Sequence, residues 1–433
     1  MARLHTFHKY LLAFLLAGSV LAINPWLTTD VFEFPKVILL IFWVGILTLL
    51  SIVDFASLKA EAPFFHWKKL PRPLFFLGIF FVAQLLAYIF SVNPKVSLMG
   101  DGVRFQGLLM NIEYVLLVLN TFYFFARFPQ EKTQFLWKLM QILAVVECLL
   151  ALLPYVFPLT FPFYLFTPAF FAGRVYGTFG NPNYLAAFLI TVLPFVIFDV
   201  PGRAVEAGQP LKKFLAYPLV ALIMFTLFLT GSRSAWIALL LAFLGLGIIQ
   251  IIKDKQYKIM AVVFGIVLFL ALGFIFKSTL TATIPQASRL SFDTANSTSL
   301  KTRLHLWKAG IKMALQRPIT GYGQETIKGN IEPYLPEYLA ANDVFFIDRT
   351  HSELIDIFVT QGSLGLIGYL GFFGLIFWRG AVRLFQNGLK QSSPLLVATF
   401  TGLVALFLFH AVNFSTTSSN TFLYLLSALL YVL

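Results

Sequence analysis

Residues 348–358 read DRTHSELIDIF, placing Arg349, His351, Glu353 and Asp356 at the mouth of an apolar run. Thr350 followed three residues later by Glu353 is the pattern of a capping box, so a helix is expected to start at about His351. The positive end of a helix disfavours imidazolium, which keeps His351 neutral at pH 7. A neutral histidine in that place suits a general base. The plain alternative is a stretch that does no more than cap a helix. A second stretch, TGSRSAW at 230–236, joins two apolar runs with almost no loop. Ser232 can cap the second run, and Arg233 then sits at a helix N-terminus, where backbone donors and the dipole already favour an anion. The guanidinium makes this a two-part phosphate site, unless Arg233 is only an arginine snorkelling from a turn.

The elements that must position these residues are membrane helices. Of the 433 residues, 59% are hydrophobic and 12% charged. A soluble domain of this length cannot hide so much apolar surface. The expected fold class is an all-α polytopic membrane protein, a single integral membrane domain over 1–433. A span needs about 20 apolar residues. Twelve runs qualify, near 10–27, 36–55, 72–91, 105–126, 134–154, 184–200, 213–230, 234–252, 258–277, 353–378, 394–413 and 417–433. The first reads as a retained helix rather than a signal peptide, being long for an apolar leader and followed by many spans. The last ends at residue 433 without a tail, as a truncated chain would. Cys148 is the sole cysteine, which rules out an intrachain disulfide and a cysteine zinc cluster.

In a soluble protein the net charge of +13 would suggest nucleic acid. Here much of it lies in short loops, where it sets topology, and no nucleic-acid partner is expected. With the N-terminus inside, the inner loops hold Lys59, Lys68, Lys69 and Arg72; Arg127, Lys132 and Lys138; Arg203, Lys212 and Lys213; Lys253, Lys255 and Lys258; and Arg379, Arg383 and Lys390. The short outer loops hold only Lys36, Lys95, Arg104, Arg174 and Arg233. Both termini are then cytoplasmic, and 278–352 is one long extracytoplasmic loop. Its SRLSFDTANSTSLKT stretch (288–302) reads as a mobile segment. A helix follows, with Leu300, Leu304, Trp307, Ile311, Ala314 and Leu315 on one face and Lys301, His305, Lys308 and Lys312 in an adjoining stripe. That pattern suits a helix lying on the membrane surface among lipid headgroups. Arg303 falls on the other flank, beside Trp307 and Ala314. RPITGYG (317–323) then turns the chain. The apolar segment 157–174, broken by Pro158, Pro162 and Pro168, reads as re-entrant or interfacial. No internal repeat is visible.

Ionisable groups inside spans are costly and mark function by default. Glu113, Glu147, Asp356 and His410 all fall toward the outer side, where Arg104, Arg174, Arg233, Arg303, Arg349 and His351 join them. The expected picture is a polar cavity open to the outer leaflet; the alternative is a set of interface anchors able to snorkel. A transporter or lipid flippase would want ionisable groups near the midplane and two related halves, and neither is evident. A non-catalytic scaffold would need no clustering of His and Arg on one side.

The stretch RTHSELIDIFVTQGSLGLIGY (349–369) resembles the signature of the O-antigen ligase and O-antigen polymerase superfamily, in which a His followed by Asn or Ser opens a helix and G-x-x-G follows about ten residues later. GTFGNPNYLAAFL (177–189), TGSRSAW, and an R-x-x-x-W helix from Arg303 to Trp307 followed by RPITGYG come in the family's order. The resemblance covers 100–378; many members have Asn where Ser352 stands. It implies a metal-independent glycosyltransferase without cofactor, in the bacterial cytoplasmic membrane, its active site facing outside. The donor would be a glycan on undecaprenyl pyrophosphate, and the acceptor hydroxyl that of a lipid A core sugar (ligase), a repeat unit (polymerase) or a protein (O-oligosaccharyltransferase). By the same resemblance His351 is the base and Arg233 and Arg303 bind the pyrophosphate; the placement of polar groups on the outer side adds Arg104, Arg174, Arg349, Asp356, Glu113 and Glu147 as supporting candidates. That role fits the chemistry, since charge building on the leaving pyrophosphate must meet a metal or fixed cations, and arginine's planar fork suits phosphate oxygens.

Overall fold

A computed structural model describes residues 2–24, 31–57, 71–102, 104–127, 134–155, 174–198, 210–275, 298–335 and 347–433. Among them the chain forms α-helices and short 3-10 turns and no strand. The helices are α1 (Ala2–Leu21), α2 (Glu33–Ser57), α3 (Arg72–Ile89), the short α4 (Pro94–Met99), α5 (Leu108–Arg127), α6 (Gln134–Leu152), α7 (Pro182–Ile197), α8 (Pro210–Thr230), α9 (Arg233–Asp254), α10 (Lys258–Ile275), α11 (Thr298–Ala314), α12 (Glu353–Gln391), α13 (Pro394–Ala411) and α14 (Thr417–Val432).

A helix occupies each of the twelve apolar runs. Seven are long and apolar enough to cross a membrane, namely α2, α3, α5, α6, α9, α12 and α13, and shorter apolar stretches lie in α1, α7, α8 and α10. Length and burial account for the shortfall from twelve. At 1.5 Å per residue the 16 residues of α7 fall short of a bilayer core. α7 is buried continuously from Leu185 to Val196, and α14 from Thr417 to Leu430. These two are central helices, walled by α13, α5 and α8. Polar residues at the start of α14 bond inside the protein: Ser418 Oγ donates to Ser19 O at 2.6 Å, and Asn420 Nδ2 to Ser415 Oγ at 2.9 Å. Tyr114 of α5 stacks on Tyr424 of α14, ring centroids 5.3 Å apart.

The run expected to end near residue 378 continues as α12 to Gln391, broken at Gly362 (φ 68°, ψ −170°). The RPITGYG turn repairs that break. Tyr322 N donates to Val359 O and Gly323 N to Thr360 O, both at 2.9 Å, while Ser363 N donates to Pro318 O at 2.7 Å. Irregular backbone at membrane depth persists only where protein or water satisfies it, and here the loop does so. A β-carbon on Gly362 would strike the carbonyl of Ile319.

α11 packs on α12 with a face other than the one expected to meet the membrane, although Ala314 of that expected face is buried too. Leu306, Ala309 and Met313 are buried against Val359 and Ile347, while Leu304, Ile311 and Leu315 stay exposed beside the exposed Lys301, Lys308 and Lys312. The helix thus has a protein face as well as an apolar stripe free to meet lipid. The 157–174 reading falls almost wholly outside the described residues, as does most of the 288–302 stretch.

Candidate active site

His351 and Arg303 line one cavity of about 270 Å³, together with Asn181, Asn183, Tyr184, Asn413 and Phe414. Four structural pieces converge there. α12 begins immediately after His351, the α13–α14 connection brings Asn413 and Phe414, the start of α7 brings Asn181 to Tyr184, and α11 brings Arg303. Backbone and side-chain bonds join two of these pieces. Glu353 N donates to Asn413 O, Ser415 N to the Glu353 carboxylate, each at 2.9 Å, and Ser352 Oγ to Ala411 O at 2.8 Å.

The local structure around His351 differs from the expected capping box. Ser352 is the N-cap, with no side-chain capping bond, and the helix starts at Glu353. Thr350 N and Oγ1 instead donate to Asp356 Oδ1, at 2.9 and 2.7 Å. The reason is that His351 adopts a left-handed φ of 61°, which turns Thr350 away from the helix start. Left-handed backbone at a residue other than glycine is strained, and such strain clusters at functional sites. The imidazole lies 5.2 Å from the Phe414 ring, centroid to centroid. Burial, then the positive charge of Arg303, push its pKa down to about 4. Both causes favour the neutral imidazole.

The arginines fall into two groups. Arg303 Nη2 donates to Asn413 Oδ1 at 3.0 Å, and among the described residues no carboxylate pairs with it. Burial, followed by the like charge of Arg233, disfavours its cationic form. Arg233 opens α9 next to Ser234, whose Oγ accepts from Asn413 Nδ2 at 2.9 Å. Ser232 is the N-cap of α9, again without a side-chain capping bond. Arg174 borders the cavity through Asn183 (Nη2 to Oδ1, 3.2 Å) and also donates to Thr230 O. The second group is neutralised. Arg104 Nε donates to Asp348 at 2.7 Å and Nη1 to Tyr184 Oη at 2.9 Å, with its guanidinium 4.0 Å over the Phe414 ring. Burial works against the Asp348 charge, but Arg104 outweighs it and holds the carboxyl below its usual range. Arg104 also lines a neighbouring cavity of about 170 Å³ with Glu33, Asn181 and Tyr184.

Arg349, expected at the helix entrance, is buried instead. It pairs with Glu325 and lies 3.8 Å from Asp356, behind the His351 turn. Burial raises the Glu325 pKa to about 7, with Arg349 opposing. Glu147 is fully buried and accepts from Thr178 N and Oγ1, while Lys36 Nζ donates to Thr178 O at 2.9 Å. It therefore braces the 177–179 turn ahead of Asn181. Glu113 lies on α5 and, like Glu147, is not among the residues lining the cavity. His410 is buried with Nε2 3.0 Å from Ser419 Oγ. Sequence reasoning missed Asn413, Phe414 and Asp348. The polar run NFSTTSSN at 413–420 between two apolar runs was the available signal for the first two. Among the described residues, no three His, Cys, Asp or Glu side chains cluster as metal ligands.

The arrangement puts a neutral imidazole, and a guanidinium that no carboxylate pairs with among the described residues, on the wall of one cavity. It can bind an anion and take a proton nearby. Comparison with known proteins bears on what that anion is. Residues 218–370 match the family model described as O-antigen ligase, a stretch that includes Arg233, Arg303 and His351. A general O-oligosaccharyltransferase of Acinetobacter baylyi (strain ATCC 33305 / BD413 / ADP1) is 26% identical over 213 residues, covering 46% of this chain and 34% of that protein. The chain thus spans about a third of the length of that relative.

Proposed function

We propose, from the match of residues 218–370 to the O-antigen ligase family model and the likeness to a general O-oligosaccharyltransferase, that the chain is a member of the O-antigen ligase superfamily and moves a glycan from undecaprenyl pyrophosphate to an acceptor hydroxyl on the outer side of the bacterial cytoplasmic membrane. The observation that carries this reading is the cavity shared by His351 and Arg303, whose guanidinium has no paired carboxylate among the described residues. Arg303 and Arg233 hold the pyrophosphate, and the like-charge repulsion between them is relieved when the anion binds. The acceptor hydroxyl attacks the anomeric carbon, and His351 takes its proton. The bond from that carbon to the pyrophosphate oxygen breaks as the new glycosidic bond forms. Negative charge grows on the departing pyrophosphate, where fixed guanidiniums stabilise the transition state more than the ground state. Donor binding also offsets the Arg303 charge that depresses His351, so the base strengthens when the donor is in place.

Arg104 is committed to Asp348 and Tyr184 and shapes the wall beside the donor rather than carrying the leaving group. The acceptor is taken as a lipid A core sugar, as in a ligase. A protein hydroxyl is the second reading, favoured by the O-oligosaccharyltransferase relative, and a repeat unit, as in a polymerase, is the third. The test is transfer by the purified full chain from a lipid-pyrophosphate-linked glycan to a panel of the three acceptors. Transfer should persist in EDTA. Arg233→Ala and Arg303→Ala should each lose on the order of 10²-fold or more, and lysine should rescue poorly for want of the planar fork. No transfer to any acceptor, or activity recovered only with added Mg²⁺ or Mn²⁺, would overturn the reading.

A further inference from the structure

A further cavity, of about 550 Å³, lies between the start of α3 and the far part of α12, lined by Arg72, Arg379, Arg383, Trp378, Leu375 and Tyr431 among others. Along α12 it is roughly 30 Å or more from the His351 end, at 1.5 Å per residue. Its volume is in the range of about 300–1,000 Å³ usual for small-molecule sites. Two of its arginines are held in place by the end of α14: Arg383 Nη1 donates to Tyr431 O at 3.2 Å, and the Arg379 guanidinium lies 4.2 Å over the Tyr431 ring. Among the described residues no carboxylate pairs with any of the three. Pro71 and Pro73 lack N–H groups and Leu74 N is bonded to Pro71 O at 2.8 Å, so donors for a ligand come from the guanidiniums and little from the helix start. Apart from the Gln386 amide the remaining wall is mainly apolar, and it adjoins an exposed apolar surface where Trp378 is 70% and Phe75 62% exposed.

We propose that this cavity is a binding site for the headgroup of an anionic phospholipid, the phosphate meeting Arg72, Arg379 and Arg383 and the acyl chains leaving along Trp378 and Leu375. Three guanidiniums with no carboxylate paired to them among the described residues call for an anion, and basic pockets between membrane helices take anionic headgroups. The apolar, membrane-facing exit selects a lipid over a free phosphate, and a tryptophan at that level suits the headgroup region. This site is independent of the transfer chemistry proposed for His351.

The test is native mass spectrometry of the purified full chain with equal phosphatidylglycerol and phosphatidylethanolamine. The wild-type protein should retain phosphatidylglycerol preferentially. The triple variant Arg72→Ala, Arg379→Ala, Arg383→Ala should lose that preference by on the order of 10-fold or more, while keeping its melting temperature in detergent within a few degrees. A control with Lys255→Ala, Lys258→Ala and Lys390→Ala removes the same charge from nearby termini and should keep the preference. Millimolar glycerol 3-phosphate should not displace the lipid. Equal retention of both lipids, an equal loss in the lysine control, or full displacement by glycerol 3-phosphate would each overturn the assignment. If the triple variant melts early, single arginine variants at wild-type melting temperature carry the test, and unchanged lipid preference in all three would sink it.

Discussion

At the scale of the residue, His351 combines a strained backbone, a depressed pKa and a wall shared with Arg303. Alanine at a φ of 61° keeps the strain, whereas asparagine tolerates left-handed backbone well. His351→Asn is therefore the cleaner removal of the base. It should lower kcat by roughly 10²–10⁴ while donor affinity, measured by displacement of a labelled lipid pyrophosphate, stays close to wild type. Wild-type transfer rates in His351→Asn would reduce this residue to a turn former. The pH dependence follows from the direction of the shift. Only neutral imidazole accepts the proton, so kcat/KM should be flat above about 5 with respect to this group and fall as pH drops through about 4. In the donor complex the anion offsets Arg303, so the acid limb of kcat should lie at higher pH than that of kcat/KM. Coincident limbs would argue that no anion sits beside Arg303 during turnover.

At the scale of the element, the break in α12 is what lets the 317–323 loop dock. Gly362→Ala meets both a φ of 68° and the Ile319 carbonyl, and should cost roughly 1–3 kcal/mol with a matching loss of transfer. Gly374, on the same helix, has open space around its β-position, and its alanine variant should be neutral or slightly stabilising by helix propensity. Thermal unfolding of the two variants in detergent checks the contrast, and equal melting points would mean the break is not a constraint. These elements also mark what was legible in the sequence. Hydropathy located the twelve apolar runs, each of which holds a helix, because a 3.6-residue period or an unbroken apolar run survives any packing. The residue types of His351 and Arg303 announced chemistry, since charge near membrane is expensive. The capping box around Thr350 was invisible as an error, because Thr-x-x-Glu carries no signal of the left-handed turn that redirects it. The burial of Arg349 was hidden for another reason: its partner Glu325 lies 24 residues away, and no local pattern reports a non-local ion pair. Asn413 and Phe414 were missed likewise, being brought to His351 by the packing of α13 and α14.

At the scale of the whole molecule, the orientation inferred from Lys and Arg predicts that the His351 end faces outward. Cys148 is buried, so single cysteines can be added to an otherwise silent background. Lys312→Cys, on the exposed side of α11, should react with an impermeant maleimide in cells with a permeabilised outer membrane, and Gln386→Cys, at the far end of α12, should not. The reverse pattern would invert the topology and with it the proposed site of transfer. One feature of the site has a bearing on biogenesis. Its parts are scattered along the chain, from Arg104 through Asn181, Arg233 and Arg303 to His351 and, last of all, Asn413 and Phe414. At about 5–20 residues per second, the ribosome delivers the last of these some 15–60 s after the first. During that interval Arg104 and Arg303 lack Phe414 and Asn413, so the pocket has an open side. A nascent chain should therefore be silent until α13 and α14 insert, so half-built copies hold no closed pocket.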